Sequence, residues 1–240
     1  MSTNERAQAR FRAPQREVSG AWAARRRLAA AMREVIDHLV TSEAPEDELT
    51  RAADALERFA ERLRAHPRRG AWDQLFRESS VSGDVGEFFD QSPLLGRSNP
   101  IAPPIELWVE GDRVLGRARY GAAYEGPPGH VHGGMIAAAF DELLGYTQSL
   151  TEHPGMTGRL VVHYRRPTPL YTDLEFEGSV LRVEGRKIFT SGTLRAEGRL
   201  LAESEGLFIR VDPGKMAALA AQIARRVDVH RSREVREGDG

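Results

Sequence analysis

Residues 129–145, GHVHGGMIAAAFDELLG, hold backbone and side-chain groups whose types and spacing could do chemistry. Gly133 and Gly134 stand where a helix would begin, and Asp141 sits two turns later among alanines and leucines. The first amides of a helix have no internal acceptor and carry the positive end of its dipole. Glycine lets another group come close to that backbone. An oxygen gaining negative charge, such as a thioester or ester carbonyl under attack, would be stabilised by such donors. Paired glycines before a helix also serve as a plain structural turn, and both readings stand at this point.

Helical spacing puts Met135, Ile136, Ala139, Phe140 and Leu143 on one apolar stripe, predicted to face a core. Ala137, Ala138, Leu144 and Gly145 are the neighbours of Asp141 at three and four residues, so its carboxylate looks out from a face of mostly small residues. An apolar setting raises a carboxylate's pKa and makes it a stronger base; a hydrogen-bonded structural aspartate is the other reading. Glu142 lies about 100° further round the helix and is expected at a solvated rim. Asp141 would stand roughly 12 Å along the axis from Gly133 at the usual helical rise. One helix therefore cannot hold both groups against one carbonyl, whereas two antiparallel helices across a twofold axis can. The chemistry implies a dimer with two equivalent interfacial sites.

His130 and His132 suggest a metal, yet no third histidine or nearby carboxylate is spaced to complete a site, and none is expected. His132 is read as bracing the turn before Gly133. No serine sits in a GxSxG elbow, which removes the usual setting of a Ser-His-Asp nucleophile.

The elements that must position these groups follow from periodicity. Residues 1–80 are read as a helical extension: apolar positions repeat helically over 19–41 (Trp22, Leu28, Met32, Val35, Ile36, Leu39) and over 45–65 (Leu49, Ala52, Leu56, Phe59, Leu63). TSEAP between them stops one helix and starts the next at Pro45. Such stripes must be buried, either on the body of the protein or on a partner chain, and both are expected to pack on the rest of the fold. Residues 81–104, with Pro93, Pro100, Pro103 and Pro104, form a connector running over the surface. Residues 105–213 make the main domain: a hairpin turning at Gly111-Asp112, the glycine-started helix, and then extended segments linked tightly at Gly185 and Gly198. They are expected to form consecutive antiparallel strands curling round one helix, an α+β arrangement. Residues 214–240 are read as a short helix and a frayed tail.

The 240 residues, 40% of them hydrophobic, suffice for one or two globular domains. Without cysteine there is no disulfide framework, thiol catalysis or thiolate metal site. Basic residues are nearly all arginine and are balanced by acids to a net charge of −1, so no nucleic-acid partner is expected. No stretch is apolar enough for a signal peptide or membrane span, and a cytoplasmic location is expected.

HVHGGMIAAAFDE, followed by TGRLVVHYRRPTPL, VEGRKIFTSGTL and AESEGLFIRV, resembles the PaaI-type hotdog-fold acyl-CoA thioesterases. FFDQSPLLGRSNPIAPPIEL is similar to segments preceding that domain in some members, and the resemblance covers roughly residues 88–212. It implies a sheet wrapped round one central helix, with the N-terminal helical hairpin as an addition. It further implies hydrolysis of acyl-CoA by a homodimer, or a dimer of dimers, with no cofactor beyond the CoA of the substrate. By position, His132, Gly133 and Gly134 match the family's HGG turn, whose glycine amide polarises the thioester carbonyl. Asp141 matches the helix aspartate that acts as general base or nucleophile, and Thr157 a hydroxyl that orients the attacking water. His163 and Arg165 match positions contacting CoA, and Arg186, Lys187 and Ser191 match the segment holding its phosphates, where charge-assisted contacts are needed. A hydratase on the same fold and a non-catalytic acyl-CoA binder are the competing readings. Acyl length and CoA against carrier-protein substrates stay open.

Overall fold

The computed structural model describes residues 18, 20–66, 90–103, 105–151, 155–210 and 214. The helix expected beyond residue 213 and the parts of the extension and connector at 1–17 and 67–89 lie outside the described residues. Two helices come first, α1 (Gly20–Leu39) and α2 (Glu46–Arg64), followed by strands β1 (Glu106–Glu110) and β2 (Arg113–Ala118). A 3-10 turn at Ala122–Tyr124 leads to helix α3 (Gly133–Gln148) and strands β3 (Gly155–Tyr164), β4 (Leu174–Glu184), β5 (Lys187–Ala196) and β6 (Arg199–Arg210). No described helix is long and apolar enough to cross a membrane.

The strands form one antiparallel sheet in the order β1-β2-β4-β5-β6-β3, and α3 lies across one face of it. Gly111, at φ 62°, makes the turn between β1 and β2 as its composition predicts. The expected run of consecutive strands holds for β4, β5 and β6 but not for β3. That strand leaves the end of α3 and pairs with β6, Thr157 opposite Phe208 and Tyr164 opposite Ala202, at the far edge of the sheet. The link from β3 back to β4 crosses beneath the start of α3. There Val131 N–H donates to the Thr168 carbonyl at 2.8 Å and Leu170 N–H to the Gly129 carbonyl at 3.0 Å. Such a crossover depends on contacts far apart in sequence, to which period-two alternation is blind.

The core is the stripe of α3 set on the inward residues of the sheet. Ile136, Ala139, Phe140, Leu143, Leu174, Phe176 and Leu194 are buried together, with Phe140 edge-on to Phe176 at 5.9 Å between centroids. Leu144, expected on the Asp141 face, is instead fully buried against Ile188 and Phe208. A floor of glycines explains this. Gly178 and Gly192 are register partners, and a Cβ on Gly206 would come within 3.0 Å of Leu144 and 2.5 Å of the Thr190 hydroxyl. Without side chains there, the helix settles lower and buries a wider arc than a single stripe.

α1 docks by a face that carries part of its predicted stripe, the half-buried Trp22, Met32 and Ile36, together with the buried Ala29. Asp90, 1% exposed, receives the Trp22 indole N–H at 2.5 Å, the Arg26 Nε at 2.9 Å and the Ser98 hydroxyl. Arg33 donates to the Asn99 carbonyl at 2.8 Å, and Asp37 accepts from the Ala123 amide at 3.0 Å. A buried carboxylate needs partners, and α1 supplies two of them, Trp22 and Arg26. Leu28, Val35 and Leu39 stay exposed as a result, as do Leu49, Leu56 and Leu63 on α2, which has no buried residue. The expectation that both stripes pack on the rest of the fold is therefore met in part on α1, at Trp22, Met32 and Ile36, and not on α2.

Candidate active site

α3 begins at Gly133, as its sequence predicts. His132 is the N-cap, and its Nδ1 accepts the Gly134 amide at 3.0 Å, which places the ring proton on Nε2. The bracing role read for His132 therefore has a definite form. It also engages one of the two candidate donors: Gly134 is committed to His132, while no bond from the Gly133 amide is present among the described residues. Tyr164, at the end of β3, donates its hydroxyl to the Gly133 carbonyl at 2.7 Å. Sequence reading passed over Tyr164, although HYRRP placed a phenol one residue from a singled-out histidine.

At the other end of the same strand the Thr157 hydroxyl donates to Asp141 Oδ1 at 3.0 Å. This fixes one carboxylate oxygen and leaves Oδ2 for another partner. Asp141 is exposed, so a single chain does not supply the apolar setting expected for it. Glu142, where a solvated rim residue was expected, is instead half-buried. Burial first, and then the charge of Asp141, push its carboxyl up from 4.5 to about 7, against the opposing effect of a hydrogen bond to Ser92. Nothing local foretells this, because Ser92 belongs to the connector, far off in the chain.

The strand register places the remaining candidates. Lys187 is opposite Ile209 of β6, which is opposite Met156 of β3, so Arg186 and Lys187 lie at the same end of the sheet as Thr157, about 10 Å away across two strand spacings. Arg186 donates to the Arg210 carbonyl at 3.1 Å, and Lys187 is exposed. His163 is exposed near the other end of β3, beside Tyr164. Arg165 Nε is held by Glu203 at 2.8 Å. Inward residues alternate with outward ones along β5, and Ser191 lies on the outward side. Asp141 and Thr157 are thus brought together, Gly133, Gly134 and His132 form a second group with Tyr164, and Arg186 and Lys187 a third. His163, Arg165 and Ser191 join neither of the first two within one chain. Among the described residues no group of three or more His, Asp or Glu could hold a metal.

The two anchors on α3 are about 12 Å apart along its axis. β3, which bears on both, is an edge strand with one side unpaired in the chain. Such an edge invites pairing with another strand, and here it runs beside the exposed carboxylate.

Residues 128–203 match the family described as Thioesterase superfamily. Over 105 residues the chain is 38% identical to the mouse acyl-coenzyme A thioesterase THEM4, spanning 43% of this chain and 45% of that protein. The cattle THEM4 is 38% identical over 97 residues, 40% of each chain. The chain thus spans less than half the length of these curated relatives. A solved crystal structure of a thioesterase superfamily protein is 33% identical and superposes with a TM-score of 0.66, covering 77% of this chain and 94% of that one.

Proposed function

We propose that this chain, which belongs to the thioesterase superfamily, hydrolyses acyl-CoA thioesters to the free acid and CoA. The observation that carries the reading is the Thr157–Asp141 hydrogen bond on the exposed face of α3, beside an unpaired strand edge. A second copy pairing along β3, with the two α3 helices antiparallel, would bring the Asp141 of one copy to the Gly133 amide of the other. In that homodimer the Gly133 amide takes the thioester oxygen as it gains charge. His132 positions the turn by holding Gly134.

Asp141 then removes a proton from water, the hydroxide adds to the carbonyl carbon, and the tetrahedral intermediate expels the CoA thiolate. The proton held by Asp141 passes to the departing sulfur, and the balance closes with acid and thiol. Direct attack by Asp141, with water then cleaving a mixed anhydride, gives the same products. Thr157, bonded to Oδ1, keeps Oδ2 pointed at the reacting atom in either case. Arg186 and Lys187 stand at the same end of the sheet and suit the phosphates of CoA, with His163, Arg165 and Ser191 as further contacts along the handle. The reaction uses no cofactor beyond the CoA of the substrate, and a cytoplasmic setting suits it.

The test is thiol release from acyl-CoAs of graded chain length by the wild type and by Asp141→Asn. Turnover of some acyl-CoA, lowered at least about a hundredfold by the substitution with folding and mass unchanged, is the expected result. Single-turnover reaction in 18O water separates the two routes, because a nucleophilic Asp141 takes label into its own carboxylate. If no acyl-CoA is hydrolysed, the hydrolase reading fails. Equal turnover in Asp141→Asn removes the role of that residue.

A further inference from the structure

We infer that the α1–α2 hairpin is a self-docking surface, through which the chain associates with a second copy by an antiparallel contact between helices, separately from the β3 edge. Three observations converge on it.

α1 is seated by a mixed face that carries Trp22, Ala29 and Ile36 beside Arg26, Arg33 and Asp37. Trp22, Arg26, Arg33 and Asp37 engage residues 90–99 and Ala123, which fixes the helix rotation and turns Leu28, Val35 and Leu39 outward at 38%, 51% and 56% exposure. On α2, Leu49, Leu56 and Leu63 recur every seven residues at 41%, 50% and 50% exposure, with Ala53 and Ala60 between them. This is the spacing of a helix seam with another helix. A helix of about this length is marginal in water without a packed face, and among the described residues nothing buries this one.

Charge selects the occupant. Glu46, Asp47 and Glu48 fill the first turn of α2, and Arg62 and Arg64 the last. Glu46 and Arg64 are five helical turns apart and flank the leucine seam on one side, while Glu48 and Arg62 flank it on the other. A second α2 laid antiparallel about Leu56 brings Glu46 near the Arg64 of the other copy and Glu48 near its Arg62. A parallel copy would set like charges together. The seam thus matches its own reverse.

The test is sedimentation velocity of the full chain over a range of concentration, comparing wild type with Leu49→Glu/Leu56→Glu/Leu63→Glu. The variant is expected to have half the mass of wild type at concentrations where wild type is fully assembled, whether or not copies also pair through β3. Circular dichroism and thermal unfolding check that the sheet domain is intact. The decisive pair is Glu46→Arg and Arg64→Glu. Each alone is expected to raise the dissociation constant about tenfold, and the double variant to return it toward wild type. The two residues are roughly 27 Å apart on one helix, so such rescue requires a second copy. Unchanged mass in the leucine variant overturns the inference and leaves the seam to residues of the same chain. Loss of assembly with no rescue in the double variant overturns the antiparallel contact. Neither result depends on thioester turnover, so failure here is distinct from failure of the hydrolase reading.

Discussion

Replacing Glu142 by glutamine should make the protein more stable, and increasingly so as pH rises. The carboxyl is pushed from 4.5 to about 7 by burial and by the neighbouring Asp141. The folded chain therefore binds this proton more tightly than the unfolded chain. Below the unfolded value both states are protonated, and the group has no net effect. Between about 4.5 and 7 the unfolded chain sheds its proton while the folded chain keeps it, so stability falls as pH rises. Above about 7 the full penalty persists, because the folded protein must hold a buried anion. A shift of this size, at about 1.4 kcal/mol per pH unit, is roughly 3 kcal/mol. For a chain of this length that is a change in Tm on the order of 6–12 °C. Glutamine keeps the shape and a hydrogen bond to Ser92 but does not ionise. Thermal unfolding of both proteins from pH 4 to pH 9 should give curves that nearly coincide at the acidic end and diverge through pH 5–7, with the variant above. Parallel curves, or a variant less stable at pH 8, would refute the argument that Glu142 is buried at a cost.

Two further substitutions bear on the elements that position the site. Asp90→Ala removes the buried acceptor shared by Trp22, Arg26 and Ser98; a loss of about 3 kcal/mol is expected, with α1 becoming sensitive to protease ahead of the sheet. Tyr164→Phe removes the bond to the Gly133 carbonyl, worth about 1 kcal/mol. It should lower kcat for thiol release about fivefold with little change in Tm, and an unaltered kcat would show that the helix start needs no such brace.

The parts of this protein legible in its sequence are those fixed by near neighbours. The start of α3 at Gly133, the turn at Gly111 and the extents of α1 and α2 follow from propensity and periodicity within a few residues, and the structure places them there. The prominence of Asp141 was visible because a charge among alanines is conspicuous at helical spacing. What escaped depends on distant partners. β3 is an edge strand only because β6 arrives fifty residues later to pair with it, as with Gly155 and Arg210. Leu144 is buried because two glycines on neighbouring strands, Gly192 and Gly206, come together beneath it. Glu142 is half-buried and Asp90 fully buried because connector and helix meet there, and α1 brings Trp22 and Arg26 inward to satisfy Asp90. In each case a periodicity showed that a face existed without showing what it would meet.

The irregularity of β3 has a consequence of parity. Thr157 and Tyr164 are an odd number of residues apart, and in an unbroken strand their side chains would emerge on opposite sides. Thr157 is opposite Phe208 and Arg159 opposite Leu207, so Gly158 is an extra residue that the partner strand does not count. That one uncounted residue restores the phase, letting one strand reach both ends of the helix with two hydroxyls, Thr157 to the carboxylate and Tyr164 to the glycine turn. The spacing of acid and donor is thereby gauged by a single segment. Surrounding loops can change length without detuning it, whereas deleting Gly158 would turn Thr157 away from Asp141 at a stroke.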